Sequence, residues 1–261
     1  MERLNFYKYE GAGNDFIFFD NRSLSFPKEN IELIKLLCHR RKGIGGDGLI
    51  LLENDKDFDF RMVFYNPDGS SGAMCGNGGR CIVAFAKRIG VIEKHCTFRA
   101  ADGTHTGEVL PNGEVALSLN DVKNISIHSD CYSMDTGCPH YVTFVDDLNY
   151  IDISQEGRKI RYDKSIAPNG TNVNFVKIGN KNLTVATYER GVEGETLSCG
   201  TGVTASAIAF ALKNNARGNQ RIAVNTKGGE LTVEFQVLNN SIRGIKLIGG
   251  ARCIFEGVFF I

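Results

Sequence analysis

A short cysteine-containing motif occurs twice in the chain, each time directly before an apolar segment. The first copy, MCGNGGRC, covers residues 74–81 and continues into IVAFAKRIG. The second copy, LSCGTGVTASAIAFAL, begins at Leu197, and the tripeptide AFA recurs in both copies, at 84–86 and 209–211. The repeat favours an internal duplication, so the fold has to accommodate two such helices. Chance similarity between two alanine-rich helices is the alternative.

Strand-forming segments surround both motifs. Helical patterns cover residues 30–41, 77–90 and 200–214, and the last of these is the single helix predicted for the second half. Most of the rest is rich in β-branched and aromatic residues and is punctuated by turn signals such as GAGND and NPDG. Each half therefore reads as a strand-rich body with one notably apolar helix, and the boundary is predicted near residue 120.

Composition limits the classes of function. The chain has 261 residues, 42% of them hydrophobic, which is enough for real cores. Lysine plus arginine and aspartate plus glutamate both number 30, so no net charge steers the protein to nucleic acid or to an anionic membrane. The N-terminal segment has no apolar core of a signal peptide, and no apolar run has the length of a membrane span. We expect a small-molecule partner and a cytoplasmic location.

The eight cysteines do not form a recognisable framework. A disulfide-stapled fold is typical of short secreted chains without a sufficient core. Zinc is disfavoured because the sequence contains no C-x-x-C pair and no H-x-x-x-H spacing. Most of the thiols, such as Cys38, are expected to be buried small hydrophobes. Only Cys75 and Cys199 stand at predicted helix starts, and no metal site is predicted.

A cysteine at a helix start has a specific electrostatic environment. The first N–H groups of a helix lack partners and carry a partial positive charge, which stabilises a thiolate or a bound carboxylate. The glycines that follow each cysteine allow a ligand to approach those N–H groups. Two such sites facing one small acid suit a racemase or epimerase, in which one thiolate accepts the α-proton while one thiol donates another. That chemistry requires no cofactor.

The segment GIGGDG at residues 43–48 matches a dinucleotide-binding pattern literally. That pattern needs a strand before it and a helix after it, so that phosphates lie on the helix N-terminus. Here a helical segment precedes and a strand-like LILLE follows. The context argues against nucleotide binding.

Eight motifs along nearly the whole chain resemble the diaminopimelate epimerase family. In order, they are YEGAGNDF, GIGGDGL, FYNPDGS, MCGNGGRC, TGCPH, GTNVNFV, YERGVEGETLSCGTG and ARCIFEG. The resemblance implies a cofactor-independent enzyme that interconverts LL- and meso-2,6-diaminoheptanedioate in lysine and peptidoglycan precursor biosynthesis, and it implies a homodimer. It also implies an α+β fold of two pseudo-symmetric, barrel-like domains, each around a central helix. We expect these domains at 1–120, with a final strand at 250–261 returning to the first, and at 121–249.

The resemblance also assigns residues. Cys75 and Cys199 match the catalytic pair, and His140 and Glu189 match the polar partners that set the thiols' protonation states. The positions that match substrate-binding groups are Asn14, Asn66, Gly76, Asn77, Asn172, Glu189, Arg190, Gly200 and Thr201. From the residues alone, His140 reads as a loop histidine and the asparagines as turn formers. Arg190 has an independent case, because a planar guanidinium suits bidentate capture of a carboxylate.

Two departures from the family pattern affect this assignment. Many members have asparagine where Cys138 stands, and a thiol cannot offer the same amide donor to the distal end of the substrate. Some members have a glutamine at the position of Gly48, which has no side chain, and we assign it no substrate contact.

Two other functions compete with this assignment. Proline racemase and its hydroxyproline-acting relatives also use paired cysteines, although the asparagine set and the YERGVEGETLSCGTG segment favour an acyclic substrate with two polar ends. A thiol redox protein is the alternative from another class, but it leaves Arg190 and the asparagines unexplained.

Overall fold

The computed structural model describes residues 3–72, 74–129, 131–239 and 241–261. Four α-helices are present in these residues: α1 Ile31–Cys38, α2 Gly76–Arg88, α3 Ile153–Tyr162 and α4 Gly200–Lys213. The strands of the first half are β1 Arg3–Gly11, β2 Asn14–Asp20, β3 Gly48–Glu53, β4 Phe60–Tyr65, β5 His95–Ala100, β6 Gly103–Val109 and β7 Val115–Ser118. Those that follow are β8 Ser126–His128, β9 Cys131–Asp135, β10 Pro139–Val145, β11 Asn172–Ile178, β12 Asn182–Glu189, β13 Gly194–Thr196, β14 Gly218–Thr226, β15 Gly229–Val237, β16 Ile242–Gly249 and β17 Arg252–Phe260. A short 3-10 helix lies at Leu148–Tyr150.

The chain divides into two compact units. Unit 1 contains the chain up to Leu117 together with Gly249–Ile261, and unit 2 is Ser118–Ile248. The last strand, β17, pairs antiparallel with β1 and so belongs to unit 1. The predicted domains at 1–120 with 250–261 and at 121–249 remain a proposal, because contacts within each unit do not show that it folds as an independent domain.

In unit 1 the strands pack around α2. This helix contacts β1, β2, β3, β6 and β17, and its residues from Gly76 to Val83 are buried. Strand β3 is buried at every position, as expected for a strand covered on both faces. Phe85 of α2 lies against the rings of Tyr7, Tyr9 and Phe18, which join the helix to the first two strands.

Unit 2 places α4 in the same relation to its strands. This helix contacts β9, β10, β11, β12, β14 and β15, and it is apolar on nearly all sides. A helix that is apolar all round is buried within its own unit, because no face of it is suited to solvent. The apolar character of AFA and its neighbours thus follows from a central position.

The two units repeat one pattern of strand pairing. In unit 1, β1–β2 is antiparallel, β2–β3 parallel, β3–β4 antiparallel, β4–β5 parallel and β5–β6 antiparallel. In unit 2, the same alternation holds for β9–β10, β10–β11, β11–β12, β12–β14 and β14–β15. Helices α1 and α3 occupy the same place in this order, and so do α2 and α4. The predicted α+β fold of two pseudo-symmetric, strand-rich bodies, each around a central helix, is confirmed.

The prediction of one helix in the second half was wrong, because α3 is also present. Its sequence, ISQEGRKIRY, is mostly polar, and only Ile153 and Gly157 are buried. The helix is specified by its Asp152 cap, whose side chain accepts from the N–H of Gln155, and by close packing of Gly157 on Tyr188. The predicted helix at 30–41 is shorter than expected, since α1 ends at Cys38 and His39 is extended.

Candidate active site

The start of α2 in unit 1 carries the first cysteine of the repeated motif. Cys75 is the residue immediately before the helix, with an extended backbone (φ −110°, ψ 125°), and it is half-buried. The first helical bond joins the N–H of Gly79 to the carbonyl of Cys75 at 2.7 Å. The N–H groups of Gly76 and Asn77 precede that bond, so they are free of intrahelical partners. The site thus combines a thiol with backbone donors.

Two predicted binding residues of unit 1 are joined directly. Asn77 Nδ2 donates to Asn14 Oδ1 at 2.7 Å, and Asn14 Nδ2 donates to Asp47 Oδ2 at 2.9 Å. The Asp47 carboxylate therefore fixes the amide orientation of Asn14, because a carboxylate only accepts. Arg80 Nη2 donates to Asn77 Oδ1 at 2.9 Å from the other side.

Asn66 and Gly48 lie near the ends of neighbouring strands. Asn66 follows β4 directly, and its Nδ2 donates to Ser70 Oγ at 3.0 Å, within its own turn. It makes no hydrogen bond to Asn14 or Asn77 among the described residues. Gly48 begins β3, and a side chain there would overlap the ring of Phe64. The Phe64 ring fills the space that a glutamine side chain at position 48 would need, which accounts for the glycine there.

The start of α4 in unit 2 repeats the arrangement with the second thiol. Cys199 precedes the helix with φ −121° and ψ 109°, and it is 8% exposed. Its Sγ lies 3.4 Å from Thr201 Oγ1, and the carbonyl of Cys199 accepts the N–H of Val203 at 2.8 Å. Gly202 has no room for a side chain, which would meet Asn174 Oδ1. The first turn of α4 therefore lies directly on β11.

His140 is fixed in one tautomer by its neighbours. Asn174 Nδ2 donates to the carbonyl of Tyr141 at 3.0 Å, so this atom is the amide nitrogen, and it lies 3.1 Å from His140 Nδ1. Thr187 Oγ1 supports the assignment by donating to Asn174 Oδ1 at 2.9 Å. Because Nδ1 accepts, a neutral His140 carries its proton on Nε2.

The protonated Nε2 of His140 faces one oxygen acceptor and one sulfur acceptor. It lies 2.9 Å from Thr201 Oγ1 and 3.2 Å from Cys138 Sγ. The ring is 1% exposed, and burial lowers the pKa of His140 to about 3. The imidazole is therefore a neutral hydrogen-bond donor to Thr201, whose hydroxyl in turn reaches Cys199.

Asn172 connects Cys138 to the segment that carries Arg190. Its Nδ2 donates to Cys138 Sγ at 3.1 Å and to the carbonyl of Pro139 at 3.2 Å. Its Oδ1 accepts the N–H of Arg190 at 2.7 Å. The Arg190 side chain is exposed, with Nη1 3.5 Å from the carbonyl of Gly170. The thiol at position 138 thus accepts a hydrogen bond from Asn172, in place of offering an amide donor.

Burial and nearby charge affect the carboxyl and thiol groups of unit 2. Burial raises the pKa of Glu189, the last residue of β12. Burial, and then the charge of Glu189, raise the pKa of Cys199, while the Thr201 hydrogen bond lowers it. Burial also raises the pKa of Cys138. Cys199 is therefore held as a neutral thiol.

The structure joins most of the predicted residues, apart from Asn66 and Glu189, into one hydrogen-bonded or adjacent group in each unit. Unit 1 groups Cys75, Gly76, Asn77 and Asn14, and unit 2 groups Cys199, Gly200, Thr201, His140, Asn172 and Arg190. Asn174, Asp47 and Arg80 hold these residues in place and were not predicted from the sequence. Polar residues at alternate positions of NVNF and a charge within the apolar GGRCIVAFA are the signals that point to Asn174 and Arg80.

Within the described residues, none of the eight cysteines forms a disulfide bond. Among the described residues, no group of three or more histidine, cysteine, aspartate or glutamate side chains is placed to hold a metal ion. No helix in the described part of the chain combines the length and the apolar composition that crossing a bilayer requires.

The fold is shared with solved structures of low sequence identity. A phenazine biosynthesis protein of the PhzF family from Bacillus anthracis matches with a TM-score of 0.80 at 14% identity, over 100% of both chains. A hydroxyproline epimerase from Agrobacterium vitis matches with a TM-score of 0.72 at 14% identity, over 98% of this chain and 92% of that one. The chain therefore belongs to the class of proteins that have this paired, strand-rich fold.

Sequence comparison identifies the family. The profile described as diaminopimelate epimerase matches residues 6–124 and 132–253. A diaminopimelate epimerase from Flavobacterium psychrophilum is 48% identical over 97% of this chain and 99% of its own length. Another from Chlorobaculum tepidum is 42% identical over 95% of this chain and 98% of its own length. The chain belongs to the diaminopimelate epimerase family, which confirms the resemblance.

The tautomer of His140 leads to a prediction about pH. Its pKa of about 3 lies below the 6.5 of an unperturbed histidine, so unfolding between these pH values takes up a proton at this residue. His140 therefore lowers the stability of the fold as the pH falls through that interval. We expect ¹⁵N-detected NMR spectra to show the Nε2–H tautomer without titration down to about pH 4. A His140→Gln variant assigns the resonance, and a ring that becomes cationic near pH 6 would contradict the geometry.

Proposed function

We propose that this protein interconverts LL- and meso-2,6-diaminoheptanedioate by an acid/base mechanism with two cysteines and no cofactor. The observation that carries the proposal is the repeated fold, which puts Cys75 and Cys199 at the starts of the two central helices. The substrate comes from the relatives, which are named for it and are matched over nearly their whole length. The pathway would be the synthesis of lysine and of the peptidoglycan precursor.

The chemistry requires the two thiols to reach one α-carbon from opposite faces. One sulfur, as thiolate, removes the α-proton, and the other, as thiol, returns a proton to the opposite face. Negative charge develops on the substrate carboxylate as the α-proton leaves, before the second sulfur returns a proton. The N–H groups of Gly76, Asn77, Gly200 and Thr201 are proposed to stabilise that charge, because they lie at the positive ends of α2 and α4.

The polar groups around Cys199 are proposed to set its protonation state. Burial of Cys199, and then the charge of Glu189, raise the pKa of Cys199 and favour the neutral thiol. His140 donates to Thr201, which leaves the Thr201 hydroxyl proton available for Cys199 Sγ at 3.4 Å. That hydrogen bond stabilises the thiolate once Cys199 has given up its proton.

Binding of the substrate is proposed to use the asparagines and Arg190. Asn14 begins β2 and Asn66 follows β4 in unit 1, while Asn172 and Arg190 are linked by a hydrogen bond in unit 2. The exposed guanidinium of Arg190 is suited to a distant carboxylate in a bidentate pair. Asn172 is oriented by Cys138 and by the carbonyl of Pro139. The thiol of Cys138 therefore contributes to substrate binding indirectly, through Asn172.

We further propose a homodimer in the cytoplasm. Four large apolar side chains of β17, those of Ile254, Phe255, Val258 and Phe260, are 44–55% exposed, and grouped exposed apolar residues mark interfaces. A mechanism that depends on two reduced thiols is favoured by a reducing compartment.

The test of the mechanism follows the α-hydrogen in heavy water. Wild-type protein should exchange the α-hydrogen of LL- and meso-diaminopimelate and equilibrate the two isomers. Cys75→Ser and Cys199→Ser should each lose at least about a hundredfold in epimerisation, because an alkoxide forms much less readily than a thiolate. Residual exchange should favour one isomer in the first variant and the other isomer in the second.

The same substitution at Cys253, outside both helix starts, is the control and should leave epimerisation intact. Absence of exchange in folded, reduced wild-type protein would overturn the function. Full activity of either single-cysteine variant, or equal residual exchange from both isomers in both variants, would overturn the two-base mechanism.

Arg190 offers a test of substrate grip. Arg190→Lys keeps the charge but loses the planar fork, so we expect kcat/KM to fall roughly 10- to 100-fold, with a higher KM and a lower kcat. Steady-state kinetics on diaminopimelate measure this change. The exposed Arg243→Lys is the matched control, and unchanged kinetics in Arg190→Lys would remove this residue from the site.

The homodimer is tested by light scattering coupled to size-exclusion chromatography. Wild-type protein should have twice the mass of the chain, and Val258→Lys should weaken the dimer because a charge is buried in an apolar interface. Ile178→Lys, at a similarly exposed apolar residue of unit 2, should not change the mass. A wild-type monomer at micromolar concentration would contradict the proposal.

A further inference from the structure

Arg80 is a buried cation beneath the start of α2. Its side chain is 0% exposed and lies one turn after Cys75. Nη1 donates to the carbonyl of Gly76 at 3.3 Å, and Nη2 donates to Asn77 Oδ1 at 2.9 Å. Its Nε is buried and has no hydrogen-bond partner. The guanidinium is thus directed at the first turn of the helix, where the thiol and the backbone donors lie.

The charge of Arg80 is not neutralised by a close carboxylate. Within the described residues, no aspartate or glutamate oxygen lies within salt-bridge distance of Arg80. Burying an arginine without an anionic partner destabilises the fold. Such a charge is tolerated where an anion is present for part of the time, as in a site that alternates between thiol and thiolate or that binds a carboxylate.

The ionisable groups that face Arg80 come from three elements. They are Cys75 immediately before α2 and Cys81 within it, Glu10 of β1, and Glu114 in the turn before β7. Glu10 accepts the N–H of Gly13 at 2.8 Å and faces Arg252 at 3.9 Å, and Glu114 accepts from Asn112 at 2.7 Å. Both carboxylates are therefore engaged with other groups.

The two thiols near Arg80 differ in their access to solvent. Cys81 is 0% exposed, and burial raises its pKa far above the ordinary range, so it stays a thiol. Cys75 is half-buried and precedes the positive end of α2. It is the group near this cation that is suited to carry a negative charge.

The second central helix lacks this cation. The repeat places Thr204 of α4 where Arg80 stands in α2, five residues after the cysteine. Thr204 Oγ1 donates to the carbonyl of Gly200 at 2.9 Å, which is the position in α4 equivalent to Gly76, but Thr204 is uncharged. Around Cys199 the charged neighbour is Glu189, whose sign is opposite to that of Arg80. The environments of the two thiols are therefore electrostatically unequal.

We propose that Arg80 is a positioning residue that holds Cys75 as the thiolate in the free protein, with Cys199 as the thiol. The inference rests on the proposed role of the two cysteines and adds which of them starts as the base. The free protein is then poised for the isomer whose α-hydrogen faces Cys75. To act on the other isomer, it has to exchange the protonation states of the two sulfurs first.

The test is the pH dependence of alkylation by iodoacetamide, measured at each cysteine by mass spectrometry. In wild-type protein, the midpoint at Cys75 should lie at least one pH unit below that at Cys199. The midpoint reports the thiolate population, whereas limited access changes only the maximal rate. The assay needs no epimerase activity, so its outcome is independent of whether diaminopimelate is the substrate.

Variants separate the charge of Arg80 from its hydrogen bonds. Arg80→Gln should raise the midpoint at Cys75 by at least one pH unit, which is a tenfold or larger loss of reactivity near neutral pH. Arg80→Lys should restore most of that loss, because it keeps the charge while losing the fork that holds Asn77. Thr204→Val, the matched change in α4, should leave the Cys75 midpoint unchanged.

Three results would overturn the proposal. They are a lower midpoint at Cys199 than at Cys75 in wild-type protein, an unchanged Cys75 midpoint in folded Arg80→Gln, and equal effects of Arg80→Gln and Arg80→Lys. If circular dichroism shows that Arg80→Gln does not fold, the wild-type order of midpoints and the Arg80→Lys variant still decide the question.

Discussion

The first turn of a helix buried at the centre of a sheet is the constraint on which this structure depends. Its N–H groups have no partners within the helix, and burying them without an acceptor is costly. Each unit meets this constraint in the same way, by placing small residues at the start of the helix so that a ligand can reach the donors. Gly202 shows how tight the arrangement is, since Asn174 occupies the space that a side chain would need. In the proposed function, these donors contribute to substrate binding.

The two units share one pattern of strand pairing but place different side chains at equivalent positions. At the start of the first parallel pair, Phe16 lies opposite Gly48 in unit 1, and His140 lies opposite Asn172 in unit 2. The apolar pair closes its space with the Phe64 ring. The polar pair instead supports a network of hydrogen bonds. Duplication therefore preserves positions, while the side chains at those positions assign each thiol its own environment.

The sequence predicts the parts of this molecule that depend on local composition. The apolar helices α2 and α4, the strands rich in aromatic and β-branched residues, and the repeat itself were all readable, because burial imposes a strong pattern. Helix α3 was missed because its polar sequence packs mainly through Gly157, and a glycine in a polar helix gives no signal of burial. The duplication would have revealed it, since α1 stands at the same place in unit 1.

The candidate site residues also divide into those with a local sequence signal and those without one. The positions of Cys75 and Cys199 at helix starts were predicted from the motif and are confirmed. The roles of Asn174 and Arg80 depend on side chains that are distant in sequence or on the inner face of a helix, and their partners become known only from coordinates. His140 required the family resemblance, because a lone histidine after a proline has no distinguishing local pattern.

The hydrogen bonds that run from Asn174 through His140 to Thr201 point in one direction. Asn174 Nδ2 is committed as a donor by the Tyr141 carbonyl, so the imidazole accepts on one side and donates on the other. To take up a proton, the ring would have to confront an amide donor, and turning the amide would break its bonds to Tyr141 and Thr187. The network therefore does not relay protons. The ring nitrogens of His140 are therefore both engaged, and neither can accept a proton from Cys199 through Thr201.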